Sequence, residues 1–330
     1  MAAGLDVFLN RNAGSNAKDP QCELFRIHDD FYSPGFWTAM VARARMEGLR
    51  SGDITFSAKR SRGYASAVGL DLALDGEDRY EFERRNLGKN YSPLVLLESA
   101  EATDQANADV NNCIRRLVPE EELEAFVGDL CEVVGELHDN VWSHGGSTGF
   151  SMAQRWKKPW AISRHYFEFA LADCGIGFLR ELQRVGLPIT THREAIDWCI
   201  VKGNSSKSLR EDDPWLQRLP LDVTGRPMGT VGRPMPEFSN HHLGLGLWKL
   251  CELVRTYSGD LWLASGNDLL HIKRGAQIEH RETPVQWSGV ALACRFETGL
   301  VRRRQAVAAD DLTEWLAEYI GDDDDKARKA

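Results

Sequence analysis

The most regular hydrophobic pattern of the chain lies between residues 122 and 141. Apolar side chains recur there at steps of three and four residues, which predicts an amphipathic helix. They are Leu123, Phe126, Val127, Leu130, Val133, Val134, Leu137 and Val141. At about 100° per residue, Glu136 and Asn140 fall at the margin of this stripe. The pattern therefore predicts a long helix that presents two polar side chains where a cleft would begin.

A second pattern, the alternation of apolar and polar residues, predicts strands in the C-terminal half. In "HYFEFALAD" at residues 165–173, the apolar side chains share one face, and Asp173 ends the strand on that same face. "DLWLAS" at 260–265 and "GVALACRF" at 289–296 alternate in the same way. Before these last two strands, residues 243–259 open with glycines and continue with a helical pattern. This half therefore combines helices with an antiparallel-rich sheet.

The N-terminal hundred residues predict a smaller unit in which helices and strands alternate. Residues 36–50 have the pattern of an amphipathic helix, and "DITFSA" at 53–58 follows as a short strand. A second helix is predicted over residues 64–74, and "YSPLVLLES" at 91–99 is predicted to be another strand. Such alternation is typical of a small α/β domain.

Chain length and the positions of prolines suggest how the chain is divided. A length of 330 residues favours two domains. We expect a small α/β domain over residues 1–120 and a second domain over 121–300. Within the second, residues 204–242 hold five prolines and no clear periodicity, which is typical of a functional lid or of disorder. The lid is predicted at about 178–243. A C-terminal helix and an acidic, disordered tail are predicted over 301–330.

Composition narrows the classes of function. The formal charge of −9 makes nucleic acid an unlikely main partner, because phosphate neutralisation requires a basic face. The seven cysteines contain no C-x-x-C pair, which favours reduced thiols in a cytoplasmic protein. The N-terminus lacks the pattern of a signal peptide, and no run of about eighteen apolar residues predicts a membrane span.

Three short motifs carry candidate chemistry. Glu136 and Asn140 lie one helical turn apart, so a carboxylate that can accept a proton stands beside an amide oxygen suited to Mg²⁺. "DCGIG" places Asp173 at the end of an apolar strand, where a buried carboxylate requires a hydrogen-bond donor. "GLGL" at residues 244–247 opens a helix, whose free N–H groups stabilise phosphates. It does not form a dinucleotide fingerprint, because Lys249 stands where the third glycine would be.

In this order, the three motifs resemble those of the GHKL ATPase superfamily, which includes gyrase, the MutL repair proteins, a heat-shock chaperone and the histidine kinases. The resemblance covers roughly residues 122–298. It implies an α+β fold, namely a two-layer α/β sandwich of the GHKL (Bergerat) type, with the small N-terminal α/β domain attached. It also implies ATP and Mg²⁺ as cofactors.

The resemblance assigns roles to individual residues. Glu136 would be the catalytic base, Asn140 the Mg²⁺ ligand, and Asp173 the acceptor for the exocyclic amine of adenine. The remaining nucleotide-binding candidates are Gly175, Gly177, Ser206, Lys207, Gly244, Leu245, Gly246 and Leu247. Among these, Ser206 and Lys207 lie in "KGNSSK", which resembles a lid segment that approaches the terminal phosphate. His144, His241 and His242 are expected to pack or to close the lid.

These roles predict a Mg²⁺-dependent ATP-binding protein, a slow ATPase that acts as a nucleotide-driven conformational switch in bacterial-type signalling or regulation. Two alternatives stay open. The first is a serine or histidine protein kinase that acts in trans; autophosphorylation is disfavoured, because His28 lies in no dimerising helical hairpin. The second is a non-hydrolysing, ATP-gated protein-interaction module.

The N-terminal segment supports a protein partner. "MEGLRSGDITFSA" and "YSPLVLLES" resemble STAS-type domains, which bind partner proteins rather than catalyse reactions. An unrelated α/β domain is the alternative. A homodimer is also expected by analogy.

Overall fold

The computed structural model describes residues 4–11, 23–28, 30–145, 147–157, 164–204, 206 and 246–305. The helices are α1 (Gly4–Leu9), α2 (Pro34–Met46), α3 (Lys59–Val68), α4 (Leu70–Asp75), α5 (Ala100–Leu117), α6 (Glu124–Gly145), α7 (Gly177–Arg184), α8 (His192–Cys199) and α9 (Gly246–Thr256). The strands are β1 (Arg26–Ile27), β2 (Thr55–Phe56), β3 (Val95–Leu97), β4 (Gly149–Lys157), β5 (His165–Asp173), β6 (Asp260–Lys273) and β7 (Gln277–Glu297).

A five-stranded sheet forms the centre of the molecule. Its order is β3-β4-β5-β7-β6, and every neighbouring pair is antiparallel. β4 and β5 pair along their full length, from Gly149 opposite Asp173 to Lys157 opposite His165. β1 and β2 form a separate, small parallel sheet. The predicted mixed α+β class is confirmed.

One face of the central sheet packs against helices α5, α6 and α9. The long helix predicted from the hydrophobic stripe is α6, whose buried residues include Phe126 and Leu130. They share a core with Phe167, Phe169 and Leu171 of β5. Because side chains alternate along a strand, Asp173 ends β5 on this same helical face.

The N-terminal segment covers the opposite face of the sheet. Phe8 of α1 and Phe36 of α2 belong to a core that also contains Ala170 of β5 and Trp287 of β7. Helices therefore lie on both faces, and those of the segment 121–300 lie on one of them. β3 and α5, although they precede the predicted boundary at residue 120, pack with the second segment through β4 and α6.

A buried ion pair fastens the N-terminal segment to the sheet. Glu168 of β5 is fully buried, and Arg295 of β7 donates to its Oε2 from Nε at 2.8 Å and from Nη2 at 2.7 Å. The Ser33 hydroxyl and the Gly35 N–H, at the start of α2, donate to Oε1 at 2.7 and 2.9 Å. Because two of these donors lie at the start of α2, the carboxylate connects α2 to the sheet.

Two predicted segments lie partly outside the described residues. α7, α8 and the residues up to 204 fall within the predicted lid, whereas 207–245 are not described. A helix over 298–305 overlaps the first residues of the predicted C-terminal segment 301–330, and the rest of that segment, with the predicted disordered tail, lies outside the described residues. Within the described part of the chain, no helix is both long enough and apolar enough to cross a bilayer.

Candidate functional site

A pocket opens on the helical face, between α6, α7, α8 and α9, the end of β5 and the adjoining part of β7. Its empty volume, counted together with the open solvent at its mouth, is about 930 Å³. Seven predicted site residues line it: Asn140, Asp173, Gly175, Gly177, Ser206, Gly246 and Leu247. The structure therefore brings together positions that lie more than one hundred residues apart in the chain.

Asp173 is the buried acid of this pocket, with 9% of its surface exposed. The N–H of Gly175 donates to Oδ1 at 2.7 Å, and the N–H of Val290 donates to Oδ2 at 3.2 Å. Burial raises the pKa of Asp173 to about 6, against the opposing effect of these two hydrogen bonds. The two hydrogen bonds therefore offset only part of the desolvation of this carboxylate.

The backbone around Asp173 is closely packed. Gly289 of β7 lies so near that a Cβ there would stand 2.3 Å from Oδ1 of Asp173. Gly177 begins α7 with a φ of +75°, and the next N–H, that of Phe178, donates to the Ser265 hydroxyl at 3.2 Å. Ser265 in turn donates to the Gly289 carbonyl at 2.9 Å. The turn after β5 is therefore fixed to both strands of the β6–β7 pair.

The N-terminus of α9 meets α6 at the predicted polar pair. A Cβ on Gly246 would lie 3.2 Å from Nδ2 of Asn140 and 3.3 Å from Cβ of Glu136. Any side chain at residue 246 would press on both. The predicted glycine turn and the predicted Glu–Asn pair consequently form one contact, with Asn140 lining the pocket and Glu136 beneath the helix end.

Glu136 itself does not line the pocket. It is 5% exposed, and its Oε1 accepts a hydrogen bond from Nζ of Lys249, which also donates to Oε1 of Glu132 at 2.7 Å. The hydrogen bond that Lys249 donates to Glu132, and next the one that it donates to Glu136, raise the pKa of Lys249. The predicted base is therefore held in an ion pair with an ammonium of the first turn of α9.

The lid side of the pocket is built from α7, α8 and the residues after α8. The Ser206 hydroxyl, predicted to approach a terminal phosphate, instead donates to Oε1 of Glu181 at 2.9 Å, and Arg184 pairs with the same carboxylate. The Lys202 ammonium lies 4.6 Å from the centroid of the Trp248 ring, a cation–π contact that joins this segment to α9.

Other predicted residues cannot be placed. Lys207, Gly244, Leu245, His241 and His242 lie outside the described residues, as does the side chain of His144. The neighbouring His138, by contrast, is fully buried, its Nδ1 lies 2.6 Å from Oδ1 of Asn107, and burial lowers its pKa to about 3. His138 is therefore a neutral core residue.

The sequence did not point to several residues that shape the site. Val290 and Gly289 contact Asp173 from β7, and Lys249 contacts Glu136 from α9. Each contact joins positions over one hundred residues apart, so no local spacing reveals it. For Lys249 alone a signal existed, since a basic residue stands in the first turn of a helix opened by glycines.

The donors suit Mg²⁺ bound together with phosphates rather than a protein-only metal site. Among the described residues, no group of three His, Cys, Asp or Glu side chains could hold a metal ion. Magnesium needs no such group, because it keeps several waters and binds through one or two protein ligands and substrate phosphates. The half-buried Asn140 amide, at the pocket wall beside α9, can supply one such ligand.

Neither a family model nor a curated protein matches the chain, and no solved structure matches it.

Proposed function

We propose that the protein binds ATP with Mg²⁺ in this pocket, as a GHKL-type domain would, and hydrolyses it slowly to switch between conformations. The main support is Asp173, a buried carboxylate that lines a largely apolar pocket and has a pKa raised to about 6. A buried acid whose charge is this costly is typical of a functional site.

The pocket's chemistry suits adenine. Its walls are largely apolar, with Leu137, Val141, Leu171 and Val290 available to contact the flat faces of a purine. The Asp173 carboxylate offers acceptor positions beyond the two that the backbone N–H groups use. An exocyclic amine would donate to it, whereas the carbonyl of guanine at the same position would be repelled.

The phosphates would lie at the other end of the pocket, at the N-terminus of α9. Free N–H groups and the helix dipole favour anions there. Asn140 would hold Mg²⁺, which neutralises phosphate charge when it is bound. Glu136, beneath the same helix end, is the candidate base for an attacking water.

One observation favours the alternative of a non-hydrolysing, ATP-gated interaction module. Lys249 neutralises Glu136 and occupies one of its oxygens, so the proposed base is not available in this conformation. Under this alternative, ATP would change the surfaces open to a protein partner without being cleaved.

Two matched variants test the hydrolytic role. Glu136→Gln should retain ATP binding and lower turnover by about 10²–10⁴-fold, the usual contribution of a general base. Glu132→Gln removes the other, exposed carboxylate that Lys249 contacts, and it should retain turnover. Phosphate release and the shift of Tm with ATP, ADP and GTP are measured for both variants and the wild type.

The outcomes separate the proposals. A wild-type protein whose Tm rises with Mg²⁺ and ATP but which releases no phosphate is the interaction module. A Tm that does not respond to any adenine nucleotide contradicts ATP binding altogether.

A further inference from the structure

Lys249 lies where it can contact more than its two carboxylates. It is the fourth residue of α9, and helical side chains lean towards the N-terminus of their own helix. Its ammonium therefore lies near the helix end at which the proposed function places the phosphates. The Lys249 side chain is 27% exposed, so it keeps access to solvent.

The ammonium has a donor to spare. A lysine carries three N–H groups, and the described residues supply two carboxylate acceptors, one from Glu132 and one from Glu136. Both hydrogen bonds can therefore persist while a third acceptor binds. Glu136 is the candidate general base for attack at the terminal phosphate. A cation bonded to Glu136 would therefore lie beside that phosphate rather than beside the adenine or the sugar.

Charge also favours this third contact. Glu132 and Glu136 together carry two negative charges against the single charge of Lys249, so the cluster alone would repel a nucleotide with three phosphates. A direct hydrogen bond from the ammonium to a phosphate oxygen offsets that repulsion, and hydrogen bonds between charged groups are the strong class.

We propose that Lys249 distinguishes ATP from ADP by donating its remaining N–H to the terminal phosphate while Glu136 and Glu132 hold the ammonium in place. This inference rests on the proposed function, because it requires the phosphates to lie at the start of α9. Lys249 would then have two effects. It favours binding of the triphosphate over the diphosphate, and its ammonium contacts both the terminal phosphate and the carboxylate of Glu136.

The test is calorimetric titration with Mg²⁺ and either ADP or a non-hydrolysable ATP analogue. Lys249→Met should weaken binding of the analogue by about ten- to a hundredfold, the usual effect of a lost charged hydrogen bond, and change ADP affinity by less than about threefold. Lys249→Arg should retain most of the preference. Arg255→Met is the matched control, because it removes one positive charge from the far end of the same helix, where Arg255 pairs with Glu252.

If Lys249 has only a structural role, Lys249→Met should weaken the binding of ADP and of the analogue alike, and that result overturns the inference. An unchanged preference for the analogue over ADP overturns it as well. Glu132→Gln covers the case in which Lys249→Met fails to fold. Its amide oxygen can still accept from Lys249, but the substitution removes a negative charge that repels the phosphates, at a residue that is 64% exposed, and it should raise the preference for the analogue over ADP. A lower preference contradicts the inference. A wild-type protein that binds neither ligand refutes the proposed function instead.

Discussion

Two buried acids on the same strand stand in opposite environments. Glu168 and Asp173 both belong to β5, five residues apart, so their side chains point to opposite faces of the sheet. Glu168 faces the N-terminal segment and accepts hydrogen bonds from Arg295, Ser33 and Gly35. Asp173 faces the pocket and accepts hydrogen bonds from two backbone N–H groups, with no ion pair among the described residues.

The difference separates an acid with a structural role from the acid that we propose contacts a ligand. A buried carboxylate is tolerated where an opposite charge and several donors compensate its desolvation, as at Glu168. At Asp173 the compensation is incomplete, and the rise of its pKa to about 6 corresponds to about 3 kcal/mol of instability at neutral pH. A fold retains such a cost where a ligand supplies the missing donors.

The largest expected effect on stability comes from removing the charge of Glu168, the acid that is paired with Arg295. Glu168→Gln removes the carboxylate that pairs with the buried Arg295 guanidinium and should lower the free energy of unfolding by about 3–5 kcal/mol. Urea titration measures the change. Glu83→Gln, which breaks an exposed pair with Arg85, should cost less than about 1 kcal/mol. A Glu168→Gln variant as stable as the wild type would show that the ion pair does not fasten the N-terminal segment.

How much of this arrangement the sequence predicts depends on whether its signal is local. The stripe of α6 and the alternation of β5 are local, so the sequence predicts both elements and the face on which Asp173 lies. β4 gives no such signal, because six of its nine residues, from Gly149 onward, are buried in succession between the two helical layers. Its partner β3 is predicted as a strand of the N-terminal segment, and its pairing with β4 has no local signal in the sequence.

Compensation of charge is the part that the sequence does not predict. Glu168 and Arg295 lie 127 residues apart, and nothing in "YFEFAL" or "ACRFE" marks one as the partner of the other. Glu136 and Lys249 are similarly separated by 113 residues. The resemblance of three motifs points to the pocket, but whether each acid in it is paired or unpaired follows from the packing of α6, α9 and β7.

The second-largest effect, of about 3 kcal/mol, is the pH dependence of folding stability that Asp173 causes. Because its pKa is higher in the folded protein than in the unfolded chain, the folded state binds the proton more tightly. The stability of the wild type relative to Asp173→Asn should therefore fall by about 3 kcal/mol as pH rises from about 4 to 7. Urea titrations of both proteins across this range measure it. A difference independent of pH would mean that the Asp173 carboxylate is already compensated.

The smallest free-energy change is the one that bears most directly on function. Asp173→Asn keeps the shape of the side chain, but its amide nitrogen faces the Val290 or the Gly175 N–H, so one hydrogen bond is lost while the buried charge is removed. These contributions to stability oppose each other, and we expect little change in the unfolding free energy at pH 7. Adenine nucleotide binding should weaken by about 1.5–3 kcal/mol, or ten- to a hundredfold, through loss of a hydrogen bond to a charged acceptor.

Titration with ADP measures this loss of affinity. Glu168→Gln serves as the control in the same assay, because the Glu168 carboxylate lies on the opposite face of β5. Equal losses of ADP affinity in the two variants would mean that Asp173 affects binding only through the fold; a loss confined to Asp173→Asn assigns the pocket to the nucleotide base.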